Sequence, residues 1–283
     1  MKNNRVLGCH VSAAGGVSRS FTRGVDIGCD TIQIFSKNQK QWKSKELAEE
    51  EVAKFRTERN ETGIGPIVIH DSYLINLCSI NSENLKKSRD SFADEIIRAD
   101  LLGVEYLNFH PGAHQGNGED RGIKKIAESI NEMFERVPDF KVRLLLETTA
   151  GQGSSVGHTF EHLRQIIDLT EKPEKMGICV DTAHIFAAGY DIRTKKTYMN
   201  TFKMLDNIVG IDNVYAFHIN DSKTDLGSHV DRHENIGEGK IGQKAFELLI
   251  NDRRFFGKPM LLETPGGEES FKKNLNLLRS LIK

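Results

Sequence analysis

The chain has 283 residues, of which 38% are hydrophobic and 28% are charged, a composition typical of a soluble globular protein. Its length is close to that of one (β/α) barrel, which has about 250 residues. No apolar stretch approaches the roughly 20 residues of a membrane-spanning helix. The net charge is −1 and the sequence pI is about 6.8, so the overall charge does not indicate a nucleic-acid partner. The N-terminal segment lacks the apolar core of a signal peptide, and we expect a cytoplasmic protein that does not bind membranes.

Short apolar runs, most of them rich in β-branched or aliphatic residues, recur along the chain and predict buried strands. In chain order these runs cover residues 5–9, 31–35, 65–69, 104–109, 143–146, 177–180, 214–217 and 258–262. Amphipathic helical patterns lie between most of them. The predicted helices cover residues 44–62, 82–102, 122–136, 158–169, 243–251 and 268–281.

The regular alternation of strands and helices predicts a parallel sheet. Eight such units without a GxGxxG motif after the first strand favour a closed barrel over a dinucleotide-binding sheet. The chain has no low-complexity linker and no change in composition. We therefore predict a TIM (β/α)8 barrel that forms a single domain over residues 1–283, with its active site at the C-terminal rim of the strands.

The third to the eighth strand runs are each followed directly by a histidine or a carboxylate. In chain order these residues are His70, His110, Glu147, Asp181, His218 and Glu263. A single histidine at such a place is usually a structural residue with a hydrogen bond, and a single Asp or Glu usually caps the next helix. All six would meet at one rim of a barrel, however, and so many unpaired polar groups need a common partner. We predict that this partner is a divalent cation.

Two loops add further candidate ligands. His184 lies just beyond the sixth strand, and Asp231 and His233 form an Asp-x-His pair after the seventh. The nine nitrogen and oxygen ligands exceed what one tetrahedral zinc uses and suffice for three ions if one carboxylate bridges two of them. Imidazole and carboxylate without thiolate favour Zn²⁺, with Mn²⁺ or Fe²⁺ as alternatives at some positions. Three such ions beside four carboxylates leave a charge of roughly +2 at the rim, a local positive charge that a polyanionic substrate would need.

The other histidines and the cysteines give weaker evidence of metal binding. His158 and His162 fall on a predicted helix and are interpreted as structural residues. His10, His114 and His229 lie in or near rim loops and are candidates for supporting contacts behind the ligands. The four cysteines show no CxxC spacing, so we interpret them as small buried hydrophobic residues and expect no zinc–thiolate site.

The motifs that carry these residues resemble those of endonuclease IV, the family of zinc-dependent apurinic/apyrimidinic (AP) endonucleases. The resemblance covers essentially the whole chain, in order, and its motifs are long and specific. The matching segments are HDSYLINL at 70–77, NFHPG at 108–112, ETTAGQG at 147–153, DTAHIFAAGYD at 181–191, VDRH at 230–233 and IGEG at 236–239.

The resemblance implies a TIM barrel with a trinuclear zinc site that acts on abasic DNA. The implied zinc ligands form three sets, with Glu147 bridging the first two: His70 and His110; Asp181, His218 and Glu263; and His184, Asp231 and His233. The family hydrolyses the phosphodiester bond 5′ to the lesion, leaving a 3′-hydroxyl and a 5′-deoxyribose phosphate, and it also clears blocked 3′ ends. We interpret Glu147 and Glu263 as the carboxylates that orient the nucleophile or accept its proton.

Two loops are predicted to contact the DNA. Tyr73 and Leu74, just after the third strand, offer an aromatic and an aliphatic wedge where an abasic nucleotide leaves the stack. Local packing under the rim is the alternative interpretation of this pair. The loop over residues 36–45 is the most basic, and we expect it to contact phosphate. It carries Lys40 where the family commonly has Arg, which inserts into or stacks on DNA better than Lys does.

Two other functions are compatible with the residues. A sugar isomerase or epimerase of the xylose isomerase-like barrels shares the strand-end ligands, but the extra His184, Asp231 and His233 favour a third ion and phosphate chemistry. A non-catalytic binder of damaged DNA would use closed structural metal sites, whereas nine ligands shared by three ions leave open positions. The expected partner is double-stranded DNA with abasic sites or blocked 3′ ends, and a monomer is the default expectation.

Overall fold

The predicted strand runs form a closed parallel barrel. The computed structural model describes residues 5–283, and residues 1–4 of the predicted domain lie outside this range. The strands of the ring are β1 (Val6–His10), β2 (Thr31–Phe35), β3 (Ile67–His70), β4 (Tyr106–Phe109), β5 (Arg143–Glu147), β6 (Met176–Asp181), β7 (Val214–His218) and β8 (Pro259–Leu262). Each strand pairs in parallel with its two neighbours, and β1 closes the ring by pairing with β8. The predicted (β/α)8 barrel is confirmed.

Helices surround the ring and connect successive strands. Over residues 5–283 they are α1 (Arg19–Ile27), α2 (Glu49–Thr62), α3 (Ser82–Leu102), α4 (Glu119–Arg136), α5 (Phe160–Asp168), α6 (Thr182–Ala187), α7 (Lys195–Ile208), α8 (Gln243–Ile250) and α9 (Gly267–Ser280). Single turns of 3₁₀ helix occur at Pro173–Lys175, Ile211–Asn213 and Arg253–Phe255. None of the helices between residues 5 and 283 is both long enough and apolar enough to cross a membrane.

The accuracy of the helix predictions depends on the end signals of each helix. For α3, the predicted range of 82–102 is confirmed at both ends, because the Asn81 side chain accepts the N–H of Asn84 and Gly103 takes a left-handed conformation just after the helix. For α2, the prediction of 44–62 began too early, since the helix begins at Glu49. The short helices α1 and α6, and α7, were not predicted. In α1 only Phe21 and Ile27 are large buried apolar residues, so few apolar positions mark this helix in the sequence.

Successive side chains of a strand point to opposite faces of the barrel wall. The apolar residues therefore form one core between the sheet and the helices and another inside the barrel. Leu144 and Leu146 of β5 belong to the main apolar core between the sheet and the helices. Leu145 instead faces the barrel axis and packs with Cys179 and Ala216 in a small separate cluster. Two residues further along the same strands, the axis-facing positions are polar: Glu147, Asp181 and His218. A polar layer therefore lies on top of an apolar one, at the C-terminal mouth.

Two small antiparallel pairs lie outside the ring and shape this mouth. Gly112–Ala113, after β4, pairs with Ser155–Val156, after β5. Asp221–Ser222, after β7, pairs with His233–Glu234, which brings the end of the following loop back to the barrel.

Candidate metal centre

Each strand contributes one polar side chain to the layer at the mouth, from its last residues or from the residue just after it. Around the ring from β1 to β8 these are His10, Gln33, His70, Asn108, Glu147, Asp181, His218 and Glu263. Glu147, Asp181 and His218 are completely buried. Buried charge of this kind costs several kcal/mol per ion unless it is compensated, so the layer needs internal pairing or a cation.

The first group of converging ligand atoms is centred on Glu147. Its Oε2 lies 3.1 Å from Nε2 of His70 and 3.5 Å from Nε2 of His110. Asn108 donates its amide N–H to the same oxygen. The histidines come from the end of β3 and from just after β4, so parallel neighbours in the ring place them side by side. These three ligand residues present atoms within 4.8 Å of one another, close enough to share one ion.

The second group uses the other oxygen of Glu147. Nδ1 of His218 lies 3.0 Å from Oε1 of Glu147, 3.2 Å from Oε2 of Glu263 and 3.8 Å from Oδ2 of Asp181. All four residues present ligand atoms within 4.8 Å of one another. Glu147 thus belongs to two groups through different oxygens, which is the geometry of a bridging carboxylate.

The third group lies towards the loops. Nε2 of His184 is 3.1 Å from Oδ2 of Asp231, and Nε2 of His233 is 3.3 Å from Oδ1 of the same carboxylate. The two Nε2 atoms are 3.4 Å apart. Asp181 also approaches this group, because its Oδ2 lies 3.6 Å from Nε2 of His233. The structure therefore brings all nine predicted ligand residues into one connected cluster.

Local folding explains how His184 reaches the cluster. Asp181 ends β6 and is also the N-cap of α6, where its Oδ1 accepts the backbone N–H of His184 at 2.8 Å. A capping side chain bonds the N–H of the second or third helical residue, so the cap fixes His184 one turn above the strand end. The spacing of three residues in Asp-Thr-Ala-His is thus set by one capping interaction.

A glycine lets the loop that carries Asp231 and His233 dock on the barrel. Gly151 has a φ of +78°, and a Cβ at this position would lie 2.6 Å from Nδ1 of His229. His229 donates its Nδ1–H to the carbonyl oxygen of Ala150 (3.1 Å). Any side chain larger than hydrogen at residue 151 would push this loop outwards, and two of the ligands with it.

Hydrogen bonds on the outer nitrogens determine which nitrogen of each ring faces the cluster. His70 donates Nδ1–H to the carbonyl oxygen of Asp71 (2.9 Å), and His184 donates Nδ1–H to that of Thr148 (2.8 Å). The Nε2 atoms of the neutral rings then carry lone pairs, and each faces a carboxylate oxygen at 3.1 Å. Acceptors that face each other need a cation or a proton between them. The imidazole and carboxylate set is suited to Zn²⁺ and similar divalent ions.

Without such an ion, the same geometry favours protons on the imidazoles. Burial alone would lower the pKa of His70, but the hydrogen bond and charge of Glu147 outweigh it and raise this pKa to about 9. Burial likewise opposes the charged form of His184, yet the neighbouring carboxylates, Asp181 first, raise its pKa well above the ordinary value. Burial disfavours ionised Asp231, but the hydrogen bond from His184 lowers its pKa to about 2. The cluster therefore strongly favours positive charge at its centre.

The residues predicted to contact DNA lie on the same rim. Tyr73 is 66% exposed, and its ring lies 5.5 Å from that of Phe35 and 5.8 Å from that of His70, between centroids. Leu74 is half-buried beside it, and Lys40 is exposed on the neighbouring loop. The exposed Tyr73 ring thus lies beside a candidate metal ligand, and its contact with DNA stays a prediction.

One lysine of the basic loop differs from the expectation. The amine of Lys37 is almost completely buried and lies 2.7 Å from Oδ2 of Asp94. It also donates to the hydroxyl and the carbonyl oxygen of Ser91, both at 3.1 Å. This lysine anchors the loop to α3 and is not free to contact phosphate.

The sequence interpretation missed several polar residues that support the ligands. Gln33 in β2 donates to Glu263, Asn108 in β4 donates to Glu147, and Asn220 donates to Oδ2 of Asp181 (2.8 Å). The sequence does contain a signal for Gln33 and Asn108. Both lie inside apolar runs at positions that face the barrel axis, where a polar residue needs a buried partner.

A second cluster of polar side chains joins His158, His162 and Glu119, whose ligand atoms also lie within 4.8 Å of one another. His158 donates Nδ1–H to the carbonyl oxygen of Ser155 (3.2 Å), and its Nε2 lies 3.6 Å from a carboxylate oxygen of Glu119. His162 accepts the N–H of Gly157 at Nδ1 (3.4 Å), so its Nε2–H points towards the same carboxylate at 3.4 Å. His162 lies on α5, whereas His158 precedes this helix, so the prediction that both lie on a helix is wrong for His158, and their structural role stays a prediction.

The cysteines are free and buried, and none belongs to a candidate metal group among residues 5–283. Sγ of Cys9 lies 3.5 Å from Sγ of Cys29, which makes a thiol hydrogen bond in the apolar core. The hydrogen bond with the Cys29 thiol, together with burial, raises the pKa of Cys9 far above its usual value.

Sequence comparisons agree with the motifs. A family model described as xylose isomerase-like TIM barrel matches residues 21–281. Probable endonuclease 4 of Chloroflexus aurantiacus is 51% identical over 278 residues, which cover 98% of this chain and 98% of that protein. Probable endonuclease 4 of Protochlamydia amoebophila is 49% identical over 280 residues, again 98% of each.

Comparison with solved structures indicates the same family. The crystal structure of endonuclease IV from Thermus thermophilus superposes with a TM-score of 0.88 at 35% identity and covers 98% of both chains. A D-tagatose 3-epimerase-like protein superposes with a TM-score of 0.75 at 20% identity, over 97% of this chain and 96% of that one, and shows the fold alone. The long motifs, the barrel and the full-length relatives agree, and the chain therefore belongs to the endonuclease IV family of the xylose isomerase-like TIM barrels.

Proposed function

We propose that this chain is a DNA-repair AP endonuclease. It hydrolyses the phosphodiester bond 5′ to an abasic site, leaving a 3′-hydroxyl and a 5′-deoxyribose phosphate, and it clears blocked 3′ ends. The observation that supports this proposal is the convergence of His70, His110, Glu147, Asp181, His184, His218, Asp231, His233 and Glu263 at one mouth of the barrel. Family membership supplies the reaction class.

Three zinc ions fit the three groups of ligand atoms, with Mn²⁺ or Fe²⁺ as alternatives at some positions. Glu147 would belong to two of the groups, because its Oε2 faces His70 and its Oε1 faces His218. When bound, the ions would provide Lewis acidity and lower the pKa of water to near neutrality. The local positive charge would offset the phosphate charge that a chain with a net charge of −1 does not offset globally.

The carboxylates of the chain would position the attacking water. Glu263 is held by the amide of Gln33 at 2.7 Å, and its side chain remains 15% exposed at the mouth. It is therefore close enough to solvent to accept a proton from water, whereas Glu147 is completely buried beneath it. Glu263 would accept the proton, and Glu147 would hold the ions of the first two ligand groups.

The rim loops would hold the DNA. Tyr73 and Leu74 would fill the gap left by the extruded abasic nucleotide, and Lys40 would contact the backbone. Because the exposed Tyr73 ring lies against His70, a nucleotide displaced by this ring would enter the mouth beside the first ligand group. The partner is double-stranded DNA, with the protein acting as a monomer.

The direct test is nicking of a synthetic duplex with one central abasic site. We expect cleavage on the 5′ side, with a 3′-hydroxyl that a polymerase can extend. Activity should disappear after treatment with a chelator and return on addition of zinc. A matched undamaged duplex is the control, and equal cleavage of both duplexes would contradict the proposal.

The same preparations distinguish the proposal from its rivals. A sugar epimerase would convert free ketoses and leave the abasic duplex intact. A non-catalytic binder with structural metals would bind the abasic duplex without any metal-dependent turnover to restore. The pairing of Asp231 with both His184 and His233, at 3.1 and 3.3 Å, provides the extra ligands that favour phosphate chemistry over a sugar epimerase.

A further inference from the structure

Gln33 is a completely buried polar residue at the axis-facing side of β2, a strand that contributes none of the nine candidate ligands. Its side-chain amide contacts three residues of the polar layer. Nε2 of Gln33 lies 2.7 Å from Oε1 of Glu263 and 3.0 Å from Nδ1 of His10. Oε1 of Gln33 lies 2.7 Å from Nε2 of His218. One amide therefore joins two residues of the second ligand group.

The chemistry of these partners determines the direction of each hydrogen bond. An ionised carboxylate only accepts, so the NH₂ group of Gln33 must point at Glu263. The amide oxygen then points at His218, and an oxygen only accepts, so Nε2 of His218 must carry a hydrogen. When the ring is neutral, as a metal-binding imidazole is, Nδ1 of His218 carries the lone pair, and this atom faces Glu147 and Glu263 at 3.0 and 3.2 Å.

This arrangement differs from that of the other buried histidines. The rings of His70 and His184 are oriented by backbone carbonyl oxygens and present Nε2 to the cluster. His218 presents Nδ1 instead, and its orienting partner is a side chain. The backbone cannot be replaced by mutation, but Gln33 can. This ligand's orientation is therefore encoded by one replaceable residue.

We infer that Gln33 is a positioning residue of the metal centre, which sets His218 as an Nδ1 ligand and holds Glu263 for the same ion. The inference rests on the proposed function, since it concerns the second group of that centre. Gln33 reaches no solvent, so water cannot replace its amide. Loss of the amide should weaken binding of one ion about 10- to 100-fold and leave the other two ions unchanged, which is the usual effect of removing the partner of a ligating histidine.

The tautomer of His218 provides a test that needs no variant. In ¹H–¹⁵N correlation spectra of the zinc-loaded protein with labelled histidine, His218 should carry its proton on Nε2. His70 and His184 should carry theirs on Nδ1 in the same spectrum, which serves as an internal control. A proton on Nδ1 of His218 would overturn the inference.

The second test compares zinc binding by two variants of β2. Gln33→Met removes the amide and keeps the length of the side chain. Thr31→Val is the matched control, because Thr31 lies two residues earlier on the same face, is fully buried, and donates its hydroxyl to the carbonyl oxygen of Pro66. Zinc content after dialysis against a competing chelator should fall by one ion per chain in Gln33→Met and stay at the wild-type level in Thr31→Val.

Zinc content is measured without DNA, so it separates the two proposals. Wild-type zinc binding by Gln33→Met, within about twofold, would overturn the role of Gln33 even if the protein cuts abasic DNA. Selective loss of one ion in a protein that fails to cut abasic DNA would support that role and contradict the proposed function. If Gln33→Met does not fold, the tautomer measurement on the wild-type protein decides the inference.

Discussion

At the scale of single residues, the function proposed for the site depends on which atoms carry hydrogen. Glu263 receives the amide of Gln33 on Oε1 and leaves Oε2 facing His218 at 3.2 Å. Burial opposes its ionisation, but the charge of His218 and the contact with His10 hold its pKa well below the usual range. Glu263 is thus an anion at neutral pH, able to bind a cation or to accept a proton from water.

We expect Glu263→Gln to keep the fold and lose most cleavage, because the amide is a weaker ligand and cannot accept a proton. The kcat for an abasic duplex should fall by about 10² or more, the range for a lost general base. Single-turnover nicking measures this, with Glu269→Gln as the control, since Glu269 is exposed and pairs with Lys272 on α9. Near-normal nicking by Glu263→Gln would show that its assigned role is wrong.

At the scale of elements, strands β3 to β8 each supply one candidate ligand at or just after their last residue, and the loop after β3 exposes an aromatic side chain. His70 ends β3, and the exposed Tyr73 ring lies three residues later, 5.8 Å from the imidazole between centroids. A rigid strand followed by an exposed loop is how barrels combine fixed catalytic groups with adjustable recognition groups.

We expect Tyr73→Ala to weaken binding of abasic DNA and to change the stability of the fold little, because the side chain is mostly exposed. Loss of one aromatic stacking partner costs about 1–3 kcal/mol, so the Kd should rise about 5- to 150-fold. Titration of abasic and undamaged duplexes measures the effect, and Tyr73→Phe, which keeps the ring, is the control. Unchanged affinity of Tyr73→Ala for abasic DNA would refute the proposed insertion of Tyr73 at the lesion.

The elements that could be predicted from the sequence are those whose signal is local. β5 and β6 were recognised because an apolar run ends in a carboxylate, and α3 because an amphipathic pattern covers its whole length, which Asn81 and Gly103 cap in the structure. The supporting residues could not be recognised in the same way. The strand period marks Gln33 as a polar residue that needs a buried partner, but the partner itself is known only once the closed ring places Gln33 beside Glu263. Asn220 likewise lies beside Asp181 only in the folded chain. Such partners are set by tertiary contacts, which no short pattern records.

At the scale of the whole molecule, the cluster couples metal binding, protonation and folding. In the metal-free protein, the pair of His70 and Glu147 stabilises the fold only while the imidazole is protonated. The pKa of His70 is raised to about 9 from an ordinary 6.5, so this contribution is complete below about pH 6.5 and is lost as the pH rises through 9. Zinc binds the deprotonated ligands and should replace the protons.

We therefore expect the Tm of the chelator-treated protein to fall between pH 6.5 and pH 9. With saturating zinc the Tm should be higher, and the difference between the two samples should grow with pH, because binding to the folded state stabilises it. Thermal unfolding followed by circular dichroism, with and without zinc, measures both curves. Parallel curves at all pH values would contradict the link between imidazole protonation and metal binding.

The first and last strands of the ring, β1 and β8, are far apart in the sequence but pair with each other, and Val6 lies opposite Pro259. Glu263 follows β8 directly, and His10, which ends β1, lies 3.4 Å from it. Catalytic activity would therefore depend on closure of the barrel. A chain in which β1 and β8 are not paired would have its candidate ligands dispersed and could not hydrolyse a DNA backbone. A misfolded copy of this chain would therefore lack hydrolytic activity.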